Sequence, residues 1–264
     1  MLLSAGDVIS RSVKLCRDNM NLFLKYSGLI LVPTLLVTLA GYTVGITMVA
    51  SQSFAMGLGL YLILVIALAL FGFMVGIALM KAVAMRYEGQ TAMPLGEALK
   101  NSMKYILPGI LVAILTGLAT LGGFLLLIIP GIIFGIWFAF SFQALVIDDK
   151  HGTDALKTSK HLVHARWFGV FWRLFLPALV FGLLYMALQW ILQLILGVRS
   201  EAVIDSTASF TVRMVMYTIL TSILSALLTP FTTAASTILY IELKKNPVQI
   251  GMPTETKVEE PPKE

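Results

Sequence analysis

Six stretches of this chain, about 26–49, 57–80, 105–127, 131–147, 174–197 and 214–241, hold no Asp, Glu, Lys, Arg or His. An apolar run of about 20 residues is what a helix needs to cross the hydrocarbon core of a bilayer. In lipid the backbone must satisfy its own hydrogen bonds, so such runs fold as helices. Composition agrees: 58% hydrophobic residues, 12% charged residues and a mean hydropathy of +0.89, where a soluble chain carries about twice that charge. The expected fold class is all-α, a polytopic membrane protein with six transmembrane helices. Met1-Leu2-Leu3 lacks the basic start and apolar core of a cleavable leader, so the first span is expected to act as its own insertion signal.

Ile129-Pro130-Gly131 divides the third and fourth runs and predicts a tight turn, because Pro and Gly both break helices. A single re-entrant loop is the competing reading, but about 43 apolar residues suffice for two crossings. Orientation follows from Lys and Arg placement. Arg11, Lys14, Arg17 and Lys25 precede the first span, and Lys81, Arg86, Lys100 and Lys104 follow the second. Lys150, Lys157, Lys160, Arg166 and Arg173 follow the fourth, and Lys244, Lys245, Lys257 and Lys263 follow the sixth. Arg199 and Arg213 alone fall on the opposite side. Both termini are therefore expected in the cytoplasm.

A short signature recurs three times on that face, as Gly6-Asp7-Val8-Ile9-Ser10-Arg11-Ser12-Val13-Lys14, Gly96-Glu97-Ala98-Leu99-Lys100-Asn101-Ser102-Met103-Lys104 and Thr153-Asp154-Ala155-Leu156-Lys157-Thr158-Ser159-Lys160-His161. Each has an acid, two apolar residues, a serine five positions after the acid, and a basic or imidazole side chain two beyond. Internal repetition reveals the architectural unit: one amphipathic interfacial helix plus a pair of spans, in a pseudo-threefold array. The units run about 4–85, 93–147 and 152–245 within one membrane domain, 1–245, and the polar 246–264 is expected to be a disordered cytoplasmic tail.

The apolar stripes predicted for the three helices are Ile9, Val13, Cys16, Met20 and Phe23; Leu95, Leu99, Met103 and Ile106; and Leu156, Val163 and Trp167. Such helices are expected in the headgroup region, apolar face down. Arg11, Lys14, Lys100, Lys104, Lys157 and Lys160 are candidate contacts for anionic lipid headgroups at about 1 kcal/mol each, or serve only to set topology. Ser12, Ser102 and Ser159 fall on the apolar side. They either allow close contact with a neighbouring helix or aim a hydroxyl at a headgroup or a central opening.

Prolines echo the repeat, at Pro33, Pro108 and Pro177, each early in the first span of its pair. Gly41/Gly45, Gly72/Gly76 and Gly131/Gly135 are GxxxG pairs that let helices approach closely. Ser222, Ser225, Thr229, Thr232 and Ser236 form a hydroxyl stripe on the sixth span, either a packing seam or the wall of a polar groove. Cys16 is expected as a small residue on a buried face, palmitoylation being the other option.

Chemistry is sparse. Without ionisable residues at membrane depth, a pump or ion-coupled transporter is disfavoured. Gln143, Gln189 and Gln193 lie towards helix ends, where a solvated role is expected. His161 and His164 are spaced to share a metal but lack a convincing third ligand, and Asp148-Asp149 is expected to do turn chemistry. No phosphate loop, GxSxG turn or HExxH pair is present. No enzyme activity, metal, cofactor or nucleic-acid partner is expected.

Leu127-Ile128-Ile129-Pro130-Gly131-Ile132-Ile133, the stretch from Phe138 to Asp148-Asp149, and Asp154-Ala155-Leu156-Lys157-Thr158-Ser159 resemble the glycerophosphoryl diester phosphodiesterase membrane-domain family and related six-helix bacterial inner-membrane proteins. Some members of that family carry a soluble phosphodiesterase domain after the membrane part. The catalytic residues of that domain have no counterpart in this sequence, so no activity transfers. The resemblance implies the six-helix topology, a place in the bacterial inner membrane and an association with envelope lipids. The functional expectation is a non-enzymatic accessory or scaffold in lipid and envelope homeostasis. The alternatives are a passive lipid or small-molecule translocator and a structural subunit with a membrane-protein partner.

Overall fold

The computed structural model describes residues 3–50, 54–198 and 208–247, and every regular element among them is helical. In chain order these are α1 (Ala5–Asp18), α2 (Met20–Ala50), α3 (Phe54–Tyr87), α4 (Leu95–Met103), α5 (Ile106–Leu126), α6 (Ile128–Trp137), α7 (Ser141–Asp148), α8 (Gly152–Val163), α9 (Trp167–Leu196) and α10 (Ala208–Lys245). Six segments are long and apolar enough to cross a membrane: Met20–Gly41, Gly57–Tyr87, Ile106–Leu126, Ile128–Asp148, Gly152–Leu196 and Val212–Lys245. The chain is a multi-pass α-helical membrane protein. The expected tail, apart from its first residues, and the loop from Arg199 to Asp205 lie outside the described residues.

The short helices bury one side against protein. Val8, Ser12 and Cys16 are buried on α1, Ala98 and Ser102 on α4, and Ala155, Leu156, Ser159 and Val163 on α8. Of the predicted stripes, Cys16, Phe23, Leu156 and Val163 are buried as expected, and the rest is corrected in part. Val13, Met20 and Met103 are exposed, and the buried line on α1 lies one position away, through Val8 and Ser12. The reason is physical: helix contacts in a membrane protein favour small residues that let backbones approach, and selecting large apolar side chains missed them. Trp167, placed on the third stripe, is also exposed.

Contacts among these helices follow one rule. α4 packs on α3, α8 packs on α5, α6 and α7, and α1 packs on α10 and α9. The first two pairings join neighbours in sequence. The third brings the start of the chain to its end, and Arg173 reinforces it by donating its Nε–H to the Leu3 carbonyl at 2.6 Å. Ser4 and Asp7 close a reciprocal capping box at the start of α1, each side chain bonding the other's backbone N–H. The Ser4 hydrogen bonds hold the Asp7 carboxyl below the usual carboxylate range.

The α5–α6 turn is tighter than the sequence suggests. One extended residue, Leu127 (φ −167°, ψ 159°), separates the two helices, and Pro130 lies in the first turn of α6 instead of forming the break. Proline is tolerated there because the first-turn N–H groups have no intrahelical partner anyway. Pro108 is likewise in the first turn of α5, while Pro33 and Pro177 lie inside α2 and α9, so the proline echo is not structurally uniform.

Close approach within this hairpin runs through Gly123 and Gly131. A Cβ on Gly123 would sit 2.9 Å from the Gly131 Cα, and one on Gly131 would collide with the Phe124 ring. Of the predicted glycine pairs, Gly41 meets the Tyr61 hydroxyl on α3, whereas Gly72 and Gly76 face open space. The surroundings of Gly45 lie outside the described residues.

The fourth crossing is broken at Phe138–Phe140, between α6 and α7. Ser159 of α8 bridges the break: its hydroxyl donates to the Trp137 carbonyl at 2.6 Å and accepts the Phe140 N–H at 3.0 Å. Backbone groups freed by such a break need a partner wherever water is excluded. Gln143, expected near water, is instead buried on α7, and its Oε1 has no partner among the described residues.

Candidate functional site

Two features carry possible function, a groove between α9 and α10 and the basic face at their cytoplasm-predicted ends. α9 and α10 pack closely at intervals, but small side chains on both leave space between them. One part of the groove, about 270 Å³, is lined by Ala178, Phe181, Gly182, Tyr185, Ser225, Leu228, Thr229 and Thr232. A second part, about 250 Å³, continues through Ala178, Phe181 and Thr232 to Pro177, Ser236, Ala235, Leu174 and Arg173.

Four members of the predicted hydroxyl stripe, Ser225, Thr229, Thr232 and Ser236, thus lie on the groove wall, while Ser222 is buried. Their hydrogens are largely used at home. Thr229 donates to the Ser225 carbonyl, Thr232 to Thr229 and Ser236 to Thr233. A hydroxyl has two lone pairs besides its donor, so the wall offers acceptors to anything in the groove.

The six candidate headgroup cations divide. Arg11 donates to the Tyr87 hydroxyl at 2.8 Å, and that hydroxyl donates to Glu242 at 2.8 Å, tying α1, α3 and α10 together. Lys104 stands 3.8 Å from Asp149 and 4.7 Å from the Tyr105 ring centroid. Lys157 pairs with Asp154 at 3.2 Å, and Lys160 lies over the Trp137 ring at 4.6 Å. Lys14 and Lys100 are exposed and form no ion pair among the described residues. The repeated serines divide as well: Ser12 and Ser102 donate to Ile9 and Ala98 carbonyls on their own helices, and Ser159 alone reaches another element.

Sequence reading did not find the residues that knit this face. Tyr240 donates to Asp148 at 2.7 Å, and Lys244 reaches the same carboxylate at 2.7 Å. Asp149 ends α7 in the left-handed region at φ 56°, and the Tyr105 side chain, with Lys104 behind it, holds its carboxyl below the usual range. Arg166 caps the end of α10, donating Nη2–H to Leu243 and Nη1–H to Asn246 carbonyls while Nε–H bonds Leu162. A cation at a helix C-terminus answers the helix dipole. Polar residues at span ends were visible in the sequence, but pairings over 70 to 170 residues have no periodic signal.

His164 is in a one-turn 3-10 segment after α8 with its ring 5.2 Å from that of Trp137, while His161 is exposed. Among the described residues no cluster of three or more His, Cys, Asp or Glu is placed to hold a metal.

No curated protein and no solved structure matches the chain. The family described as Domain of unknown function (DUF7847) matches residues 92–243, more than half of the chain and including α4, the broken fourth span, α9 and the groove-lining part of α10. The chain belongs to that family.

Proposed function

We propose that this is a non-enzymatic, lipid-handling protein of the bacterial inner membrane, an accessory of envelope homeostasis that admits an amphiphile sideways between α9 and α10. The observation that carries the reading is the open hydroxyl wall: Ser225, Thr229, Thr232 and Ser236 border unfilled space where a packing seam would have buried them. A groove that is apolar at one wall and hydroxylated at the other suits a molecule with a chain and a polar linkage.

The termini are cytoplasmic in this reading, supported by seventeen of nineteen Lys and Arg residues falling on that side. Lys14 and Lys100, exposed and without an ion pair among the described residues, are the cations best placed to meet anionic headgroups there. The three units form a pseudo-threefold ring. Its support is the contact rule, in which each short helix packs on the second span of the preceding unit and α1 closes the circle on α10. Kinship with the glycerophosphoryl diester phosphodiesterase membrane domains belongs to the same proposal, since the segments that suggest it lie within residues 92–243.

The test is photocrosslinking in vesicles with a phospholipid carrying a diazirine in its acyl chain, followed by peptide mapping. Saturable labelling concentrated on Leu228, Thr229, Ala178 and Tyr185 is expected. Labelling that merely follows exposure, as strong at Leu60 and Ile63 on α3, ends the reading.

A further inference from the structure

The cytoplasm-predicted end of the groove carries a charge that no carboxylate among the described residues neutralises. Arg173 lines it, with Nε–H held by the Leu3 carbonyl and Nη1–H by the Gly169 carbonyl at 2.8 Å. Both partners are neutral dipoles. The Nη2 edge has no protein acceptor among the described residues, and no carboxylate forms an ion pair with Arg173. Another guanidinium, Arg166, is close enough to be repelled by it. Arg166 in turn spends its donors on the α10 terminus. A positive pair without an acid is unusual at the edge of a low-dielectric region, where opposite charge is normally supplied.

The backbone adds an acceptor at the same place. Pro177 has no N–H, so the carbonyl of Arg173, four residues earlier, has no α-helical partner. From Arg173 to Tyr185 the groove runs about 18 Å along α9 at the helical rise, slightly more than one leaflet of a hydrocarbon core about 30 Å thick. Donor edge and apolar trough therefore follow one another in the order of a membrane lipid's phosphate and acyl chain.

We propose that this groove is a binding site for one glycerophospholipid, with its phosphate on the Nη2 edge of Arg173 and an acyl chain along Ala178, Phe181 and Gly182. The assignment rests on the lipid-groove reading above and names its ligand class. The occupant comes from the bilayer and not from free phosphate, because the trough continues a leaflet's depth beyond the cation. Guanidinium and phosphate form charge-assisted, often bidentate bonds, and here the fork is already oriented by its two carbonyl partners.

Native mass spectrometry of the full chain from nanodiscs containing phosphatidylglycerol, phosphatidylcholine and diacylglycerol tests it. Wild type is expected to retain one phospholipid and to exclude diacylglycerol, which lacks the phosphate. Arg173→Gln should lower occupancy about tenfold or more, since a hydrogen bond to a charged group is lost. Arg173→Lys should keep part of it, Ala178→Phe should empty the groove, and Lys150→Gln, an exposed loop charge, should change nothing. Tryptophan-fluorescence melts check that each variant is folded. If Arg173→Gln fails to fold, the competition in wild type decides alone: equal retention of diacylglycerol overturns the proposal. A lipid lost with Ala178→Phe but indifferent to Arg173→Gln and to headgroup leaves the groove reading standing and the phosphate assignment refuted. Retention that survives Ala178→Phe, or no retained lipid at all, refutes both. A retained inorganic phosphate without lipid refutes the bilayer source.

Discussion

At the scale of single residues, the three repeated serines share burial but not energetics. Ser12 and Ser102 bond their own helices, so alanine, the best helix former, replaces them at little cost. Ser159 satisfies both a carbonyl and an N–H at a helix break. Ser159→Ala should therefore cost about 1–3 kcal/mol, read as a lower midpoint in denaturant or thermal titrations in mild detergent, while Ser12→Ala and Ser102→Ala stay within about 0.5 kcal/mol of wild type. Equal effects at the three sites would show that the bridge is not what distinguishes Ser159.

Cys16 supports a second residue-scale expectation. Burial pushes its thiol from 9.0 up to about 12, so the folded protein holds the neutral form. The stability this contributes is complete below pH 9.0 and is lost as pH rises through about 12. Wild type should lose stability faster than Cys16→Ala across that window, the Lys and Tyr titrations being common to both. Iodoacetamide at pH 8 should leave Cys16 unmodified until the protein is unfolded in dodecyl sulfate.

Among the elements, the α5–α6 hairpin is the most sterically determined. With one residue in its turn and Gly123 against Gly131, it has no room for a methyl group on the Gly131 backbone. Gly131→Ala is expected to destabilise by about 1–3 kcal/mol through overpacking, whereas Gly76→Ala, facing open space, should be neutral or slightly stabilising because alanine favours helix. Differential scanning in detergent reads both. The tip of this hairpin is apolar throughout, with Leu125 89% exposed.

The Arg11–Tyr87–Glu242 chain links three elements with two hydrogen bonds. Tyr87→Phe removes both and leaves Glu242, largely shielded from solvent, beside Arg11 at 3.7 Å. Hydrogen exchange should then rise in α1 more than in α4, which packs elsewhere. Uniform exchange would mean that packing of Val8, Ser12 and Cys16 holds α1 without the polar link.

For the whole molecule, orientation is the prediction with the widest consequence. Single cysteines at Lys150 and Gln90 should react with an impermeant maleimide only after the cytoplasmic side is opened, and one at Gly197 should react from outside, Cys16 having been replaced by Ala. Labelling of all three from one side would contradict the helical count between them. α1 is held against α9 and α10, so removing Arg173's tie to Leu3 should loosen the first helix more than the spans.

How much of this was legible beforehand differs by feature. Spans were readable because length and apolarity are local, and a bilayer of fixed thickness converts them to crossings. The three signatures were readable because repetition is a property of the chain. Stripe phase was misread in part on α1 and α4, where helix contacts chose the small Ser12 and Ala98 over the larger Val13 and Met103, whereas Leu156 and Val163 on α8 were placed correctly. The span-six hydroxyls were visible at helical spacing, but their setting depends on how far α9 stands from α10. The Arg173 site was hidden entirely, since a cation beside a span already has a sufficient explanation in topology.

By itself, then, the sequence determined the class, the six helices long and apolar enough to cross a membrane, and the places where charge gathers, because each follows from runs and spacings along one chain. Tertiary structure alone decided that Ser159 bridges the broken fourth span, that α1 closes on α10, and that Arg173 opens onto a groove without an acid partner among the described residues. Those are contacts between residues far apart in sequence, fixed only when the helices pack.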